Sequence, residues 1–198
     1  MILSDREARA ARQRRLIWVS DCPPADNKRW SSTTLDLTLD AEIRPWLTQG
    51  GAGADVIIDP SDPDFNSNQL IAERTKPVFC DGEGYVIQPH CLVLGWTREK
   101  IKLPNDSRIG ARVEGKSSLA RIGLGIHVTA PTIHPGFGEK LDDPEFLGSA
   151  IRLEIWNIGP LKIRLKKGMP ICQIIFEEVH GIPEGPYAGQ FAVQGPPG

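Results

Sequence analysis

The chain has 198 residues, of which 40% are hydrophobic and 24% are charged, and this suits one domain with one buried core. Its 23 basic side chains nearly balance 25 acidic ones, which argues against a surface that binds nucleic acid or an anionic membrane. The 20 glycines and 17 prolines favour short strands joined by turns, so we expect a mostly β single domain over residues 1–198.

The N-terminal segment and the cysteines indicate the cellular compartment. The chain opens on charged residues instead of the apolar segment of a secretory signal, and no apolar run approaches the roughly 20 residues of a membrane span. The four cysteines lie far apart and form no cluster at the spacing of metal ligands. These features predict a cytoplasmic protein with buried free thiols and no metal held by its own side chains.

The first elements are a helix and two strands. Ser4 and Glu7 form a capping box before an Ala/Arg-rich segment, which predicts a helix within residues 1–15. A short strand is expected at 16–19, and alternating leucines predict a half-buried strand at 31–39. The following segment, 48–84, is rich in Gly, Pro and Asp and is expected to be loops with small strands, one of them an apolar run at 56–58.

The second half of the chain carries strands at close intervals. They are predicted at 85–87, 91–97, 100–103, 109–113, 125–129, 150–157, 162–165 and 171–179. Such spacing with Gly and Pro between the strands indicates a sandwich, barrel or jelly roll. Residues 116–121 predict a helical turn capped by its serines, 138–148 an exposed loop, and 185–198 a flexible tail that orders only against a partner or ligand.

A local signature then identifies a family. Residues 113–124 read VEGKSSLARIGL and are followed by HVTA at 127–130. This resembles the phosphate-binding signature of the dCTP deaminase branch of the dUTPase-like superfamily. Further matching pieces follow in family order: MILSD at the start, S-x-x-x-D-L-x-L at 32–39, the strand at 94–104, PGF at 135–137, LE at 153–154, KGM at 167–169 and YAGQ at 187–190. The resemblance implies a dUTPase-like distorted jelly-roll or β-barrel with a short N-terminal helix, assembled as a homotrimer with sites between subunits.

The signature also has the chemistry of a phosphate site. Arg121 offers a planar fork of donors, Lys116 a point charge, and Ser117 and Ser118 hydroxyl donors beside the amides of a tight turn. The same hexapeptide also fits a helical turn with two solvated cations. The resemblance implies a pyrimidine deoxynucleoside triphosphate, dCTP or dUTP, with Mg²⁺ carried by the triphosphate and dTTP as an inhibitor. The implied nucleotide-binding residues are Lys116, Ser117, Ser118, Leu119, Ala120, Arg121, His134, Arg152, Leu153, Glu154, Tyr187 and Gln190.

Glu154 is the candidate general base. Strand alternation places Ile151, Leu153 and Ile155 on one face and Arg152, Glu154 and Trp156 on the other, so the carboxylate points away from the aliphatic core. A surface ion pair between Arg152 and Glu154 is the alternative. The resemblance implies hydrolytic deamination of dCTP to dUTP and ammonia, with a catalytic set of Glu154, Ser117, Arg121 and Ala130. The H-x-E and P-C-x-x-C motifs of zinc deaminases are absent, so this chemistry would be metal-free at the base.

Three departures from the family pattern leave other functions open. His134 stands where relatives carry an aspartate that lies against the sugar and, in dUTPases and bifunctional relatives, positions the water that attacks the α-phosphate. A neutral imidazole offers a single acceptor and its charged form none, which casts doubt on phosphate hydrolysis. Residues 138–148 are longer than the usual turn, and Pro186 replaces a basic residue. The alternatives are a dUTPase-type nucleotide diphosphatase and a catalytically silent nucleotide sensor.

Overall fold

The computed structural model describes residues 1–47, 57–126, 130–140, 142–143 and 145–184. Its helices are α1 (Asp5–Gln13), α2 (Ser67–Arg74) and α3 (Ser117–Ala120), with a 3₁₀ turn at Asn105–Ser107. Its strands are β1 (Trp18–Val19), β2 (Leu35–Pro45), β3 (Val78–Phe79), β4 (Tyr85–Ile87), β5 (Cys91–Lys102), β6 (Ile109–Gly115), β7 (Leu124–Ile126), β8 (Thr132–Ile133), β9 (Ser149–Asn157), β10 (Ile163–Leu165) and β11 (Pro170–Glu178).

One antiparallel sheet contains most of the strands. Its order is β7-β9-β5-β2-β11-β6-β8, with β1 added to β5 and β3 added to β2, while β10 and β4 form a separate pair. The sheet curls so that β6, near one end of this order, contacts β7 at the other end. The result is a half-barrel, which confirms the prediction of a mostly β, barrel-like architecture.

Strand alternation builds the core. Leu35, Leu37 and Leu39 of β2 are fully buried, and so are the alternating apolar residues of β9. Because alternate side chains of a strand point to opposite faces, each strand gives one apolar face to the inside of the half-barrel. Burying an aliphatic side chain of this size contributes about 1.5–3 kcal/mol, so these two strands alone supply a large part of the stability.

A bulge in β5 is filled by side chains. The pairing of β5 with β9 shifts between Trp96 and Lys100. There the Thr97 hydroxyl donates to the Glu99 carbonyl at 2.7 Å and accepts from the Ile151 amide at 2.9 Å. The Glu99 carboxylate, only 1% exposed, accepts from the amide and the hydroxyl of Thr38, both at 2.8 Å. The two strands predicted at 91–97 and 100–103 are therefore one strand interrupted by this bulge.

The first part of the chain differs from the prediction in three places. α1 is confirmed, and the Ser4 hydroxyl accepts from the Glu7 amide at 3.3 Å. β2 begins later than predicted and runs on to Pro45. The segment predicted as loops contains α2, whose N-cap is Asn66, and the strand predicted at 56–58 is wrong at residues 57–58. Residues 48–56 lie outside the described residues.

α3 is not capped by its serines. The N-cap residue is Lys116, which makes no side-chain cap, and its carbonyl accepts from the amides of Leu119 and Ala120 at 2.9 Å. The loop predicted at 138–148 is confirmed for its described residues, which contain no helix or strand, but its exposure is confirmed only in the middle, since Gly138 and Gly148 are buried. Both ends of that loop are glycines with positive φ, at Gly138 and Gly148, and a Cβ at either would meet the Ile101 carbonyl oxygen at 2.1 or 2.7 Å.

The cysteines are free, as predicted, but they differ in burial. Cys80 and Cys172 are buried, Cys22 is half-buried and Cys91 is exposed, so the prediction of buried thiols is wrong for Cys91. Burial raises the pKa of the Cys172 and Cys80 thiols. Among the described residues, no helix is long and apolar enough to span a membrane.

Candidate active site

A cavity lies at the seam where the curled sheet meets itself. The chain leaves β6, forms α3 and enters β7, and so crosses from one end of the sheet order to the other. The cavity of about 570 Å³ opens beside this crossing. Its lining residues come from β6, α3, β7 and their surroundings: Val113, Glu114, Gly115, Lys116, Ser117, Ser118, Ala120, Leu124, Gly125, Ile126, Pro131 and Gln173.

The α3 turn presents polar donors to this cavity. Ser117 and Ser118 are exposed, and their amides have no acceptor within the described part of the chain, as expected for the first turn of a helix. Arg121 follows the turn and is exposed, with no carboxylate within 4 Å among the described residues. Leu119 packs against the core. The turn therefore carries hydroxyl, amide and guanidinium donors that are available to an anion.

Lys116 is held by a second strand. Its ammonium forms an ion pair with the Asp36 carboxylate at 2.5 Å, and both side chains are largely buried. Asp36 lies on β2 in register with Gln173 of β11, which is in register with Glu114 of β6. These three side chains thus form a row across the sheet that leads to the cavity, and Glu114 and Gln173 line it.

The candidate base lies on β9. Glu154 and Arg152 are half-buried, while Ile151, Leu153 and Ile155 are fully buried, which confirms the predicted alternation. The Arg152 guanidinium lies 4.6 Å from the centroid of the Trp96 ring. Burial lowers the pKa of Arg152, and the nearby Glu154 carboxylate opposes that shift. The side chain of Leu153, another predicted binding residue, is fully buried in the core, which leaves only its backbone accessible to a ligand.

Trp156 covers the backbone of β7. Gly125 pairs with Trp156 across β7 and β9, and a Cβ on Gly125 would lie 1.6 Å from the indole Nε1. Only glycine leaves room for the ring at this position. The indole therefore packs over a strand that lines the cavity, two residues along β9 from Glu154.

Within one chain, the structure brings together only part of the predicted site. Lys116, Ser117, Ser118 and Ala120 line the cavity, and Ala130 precedes the lining residue Pro131. The other described site residues are not among the lining residues: Leu119, Arg121, His134, Arg152, Leu153 and Glu154. His134 is exposed after β8, and its carbonyl accepts from the Phe137 amide at 3.1 Å. Tyr187, Gln190 and the rest of the 185–198 tail lie outside the described residues.

Sequence reasoning missed three residues beside the cavity. Asp36, Glu114 and Gln173 were not predicted as site residues, although Asp36 belongs to the quoted S-x-x-x-D-L-x-L segment. Glu114 likewise belongs to the quoted signature at 113–124, but what brings the three residues together is the cross-strand register of β2, β11 and β6, which no short motif indicates.

Comparison with known proteins agrees with this architecture. Residues 2–179 match the sequence profile of a family described as dCTP deaminase-like. The chain is 32% identical over 186 residues to a protein of Methanosphaera stadtmanae named "dCTP deaminase, dUMP-forming", an alignment that covers 94% of this chain and 83% of the other. It is 34% identical over 196 residues to a protein of the same name from Persephonella marina, with 98% and 93% covered.

Among solved structures, 2'-deoxycytidine 5'-triphosphate deaminase from Agrobacterium tumefaciens superposes with a TM-score of 0.62 at 19% identity over 90% of this chain. This chain spans 48% of the length of that structure. At this identity the likeness concerns the fold alone.

Proposed function

Since the chain belongs to the dCTP deaminase-like family, we propose that it is an enzyme that hydrolyses the exocyclic amino group of dCTP, so that dCTP and water give dUTP and ammonia. The observation that carries this proposal is the α3 turn, whose Ser117 and Ser118 line a cavity of about 570 Å³ and which is followed by the exposed Arg121, one residue after the lining residue Ala120. That volume is in the usual range of small-molecule pockets, about 300–1,000 Å³. The exposed cation and the short neutral donors suit phosphate oxygens.

Glu154 is the proposed general base. It would take a proton from the water as the oxygen attacks C4 of cytosine, and would pass that proton to N3. A second proton from the added hydroxyl would go to the amino group, the C4–N4 bond would break, and ammonia would leave a C4 carbonyl. Ser117, Arg121 and the backbone at Ala130 would orient the water. The position of Glu154 supports this role, because its half-buried side chain lies on the face of β9 opposite the aliphatic core.

The proposed assembly is a homotrimer with its sites between subunits. The cavity beside α3 and the carboxylate of Glu154 are separate features of one chain, which fits a site completed by a neighbouring copy. Arg152, His134 and the tail residues Tyr187 and Gln190 remain proposed nucleotide-binding residues. A cytoplasmic location and inhibition by dTTP are further parts of the proposal.

Mg²⁺ is proposed to enter with the triphosphate. Glu114 lines the cavity with a carboxylate, the oxygen ligand class that this ion prefers, so the described residues fit a magnesium–triphosphate complex. When bound, the ion neutralises part of the triphosphate charge. The proposed deamination step at C4 uses side chains and water alone.

A second candidate product is dUMP. The relatives from Methanosphaera stadtmanae and Persephonella marina are named dUMP-forming, which requires pyrophosphate release as well as deamination. His134 favours dUTP as the product here, because an imidazole is not a constitutive anion that activates water beside the α-phosphate.

The decisive experiment incubates purified protein with Mg²⁺ and either dCTP or dUTP, and measures ammonia and pyrophosphate separately. We expect ammonia without pyrophosphate, loss of ammonia release in Glu154→Gln, and nucleotide binding retained in that variant. Glu177→Gln, a change of the same kind on β11 away from the cavity, serves as the matched control. Ammonia and pyrophosphate together from dCTP would establish the dUMP product, and pyrophosphate from dUTP without ammonia from dCTP a dUTPase-type diphosphatase. Binding without either product would establish a silent sensor, and deamination at the normal rate by Glu154→Gln would remove Glu154 as the base.

A further inference from the structure

Lys116 lines the cavity and forms an ion pair with Asp36. Its ammonium lies 2.5 Å from the Asp36 carboxylate, and the two side chains are only 22% and 16% exposed. An ammonium has three N–H donors, so one of them serves Asp36 and two remain. Because a free lysine side chain loses rotamer entropy when it is ordered, a lysine that is already fixed binds an anion at a smaller entropic cost.

Asp36 is itself fixed from the core. The Arg29 guanidinium donates through Nε and Nη2 to the Asp36 carbonyl at 3.0 and 2.7 Å, and its Nη2 forms an ion pair with Glu99 at 2.5 Å. Glu99 is buried in the β5 bulge, where it also accepts two hydrogen bonds from Thr38. Two ion pairs, Glu99–Arg29 and Asp36–Lys116, are thus joined by the hydrogen bonds from Arg29 to the backbone carbonyl of Asp36, so contacts run from the interior of the half-barrel to the cavity wall.

We propose that Asp36 is a positioning residue for the triphosphate: it holds the Lys116 ammonium at the cavity wall with two donors directed to phosphate oxygens, and the Arg29–Glu99 pair holds Asp36 in place. This inference rests on the proposed function, in which the cavity receives the phosphates of dCTP. It gives Asp36 no contact with the reacting base.

A carboxylate beside a lysine has a second physical effect that the experiment must separate. Asp36 is also a negative charge near a polyanion, so its removal both releases Lys116 and removes a repulsion. The affinity of Asp36→Asn alone therefore does not distinguish positioning from charge neutralisation. The effect of Lys116→Met, measured with and without Asp36, does distinguish them. Positioning makes that effect smaller when Asp36 is absent, whereas neutralisation makes it larger.

The test is a double-mutant cycle on the binding of inorganic tripolyphosphate, followed by titration calorimetry. We expect Lys116→Met to weaken binding about tenfold in the wild-type background, as for loss of a charged hydrogen bond, and by no more than about threefold in Asp36→Asn. Asp36→Glu keeps the carboxylate and is expected to restore most of the Lys116→Met effect. Glu177→Gln, which disrupts the Arg112–Glu177 pair elsewhere in the sheet, is the matched control and leaves the effect at its wild-type size.

An equal or larger Lys116→Met effect in Asp36→Asn would overturn the proposal, and so would the absence of tripolyphosphate binding by the wild-type protein. If Asp36→Asn does not fold, as judged by thermal unfolding, the same cycle is made with Asp36→Ser. In the enzyme assay, the dependence of the Lys116→Met effect on Asp36 is expected in KM for dCTP and not in kcat, because the affected contact is to phosphate. Ammonia release by wild-type protein is recorded separately: its absence contradicts the proposed function, while the tripolyphosphate cycle still decides the role of Asp36.

Discussion

The buried carboxylate of Glu99 gives a prediction whose size follows from its contacts. Three donors converge on its two oxygens: the Thr38 amide at 2.8 Å on one, and the Thr38 hydroxyl at 2.8 Å and Arg29 at 2.5 Å on the other. Glu99→Gln keeps the shape but replaces one acceptor oxygen with an NH₂ donor. At least one donor then faces another donor inside the sheet, and Arg29 loses its charged partner. Because removing one partner of a buried pair costs about 3–5 kcal/mol, we expect a loss of about 3 kcal/mol in the free energy of unfolding.

Urea unfolding at fixed protein concentration measures this loss as a lower transition midpoint. Glu177→Gln removes the carboxylate of the Arg112–Glu177 pair, which is 33–37% exposed, and is expected to cost less than about 1 kcal/mol. If the two variants unfold within about 1 kcal/mol of each other, the β5 bulge does not depend on the buried charge, and the reasoning from its hydrogen bonds is wrong.

Three further outcomes are expected. Gly125→Ala places a Cβ 1.6 Å from the Trp156 indole and should lower the free energy of unfolding by about 1–3 kcal/mol, as measured in urea. The double variant that adds Trp156→Phe should recover part of this loss, and an unchanged free energy of unfolding in Gly125→Ala would contradict this packing. Arg121→Ala should weaken dCTP binding about tenfold or more in calorimetry while leaving deoxycytidine binding unchanged, and equal losses would make Arg121 structural. Alkylation at pH 8, measured by mass spectrometry, should modify the exposed Cys91 in the native protein. The buried Cys172, whose raised pKa leaves less thiolate, should react only after unfolding, and rapid labelling of Cys172 in the native protein would refute its burial.

Strand periodicity predicted most of the sheet. The bounds of β4 agree with the prediction, and β9 begins one residue earlier than predicted. The break predicted after Thr97 was a real irregularity, but its cause, the insertion of Glu99 between strands, depends on a partner 61 residues away in Thr38. α2 was missed although Asn66 offered a capping signal, because the surrounding Gly, Pro and Asp outweighed one short helical segment.

The candidate site likewise contains residues that are close together in the sequence, which could be predicted, and residues that are far apart in it, which could not. The hexapeptide at 116–121 was recognisable because its residues are adjacent, and the structure places four of its members at the cavity. The ion-pair partner of Lys116 was not recognisable from the sequence, because Asp36 lies 80 residues earlier and contacts Lys116 only through the curl of the sheet. The sequence analysis expected Lys116 to supply a point charge for phosphate. The structure adds an ion pair with Asp36, which no motif indicates.

The position of β11 has a consequence for how the chain folds. β11 lies between β2 and β6, and residues just beyond the start of the chain bond to it, as in the hydrogen bond from the Leu3 amide to the Phe176 carbonyl at 2.9 Å. During synthesis, β2 and β6 each expose an unpaired strand edge until β11 leaves the ribosome. Such non-local pairing slows folding and leaves open edges that join other chains. Chains that stop before Pro170 are therefore expected to aggregate during synthesis, even though every residue of the α3 turn has been made.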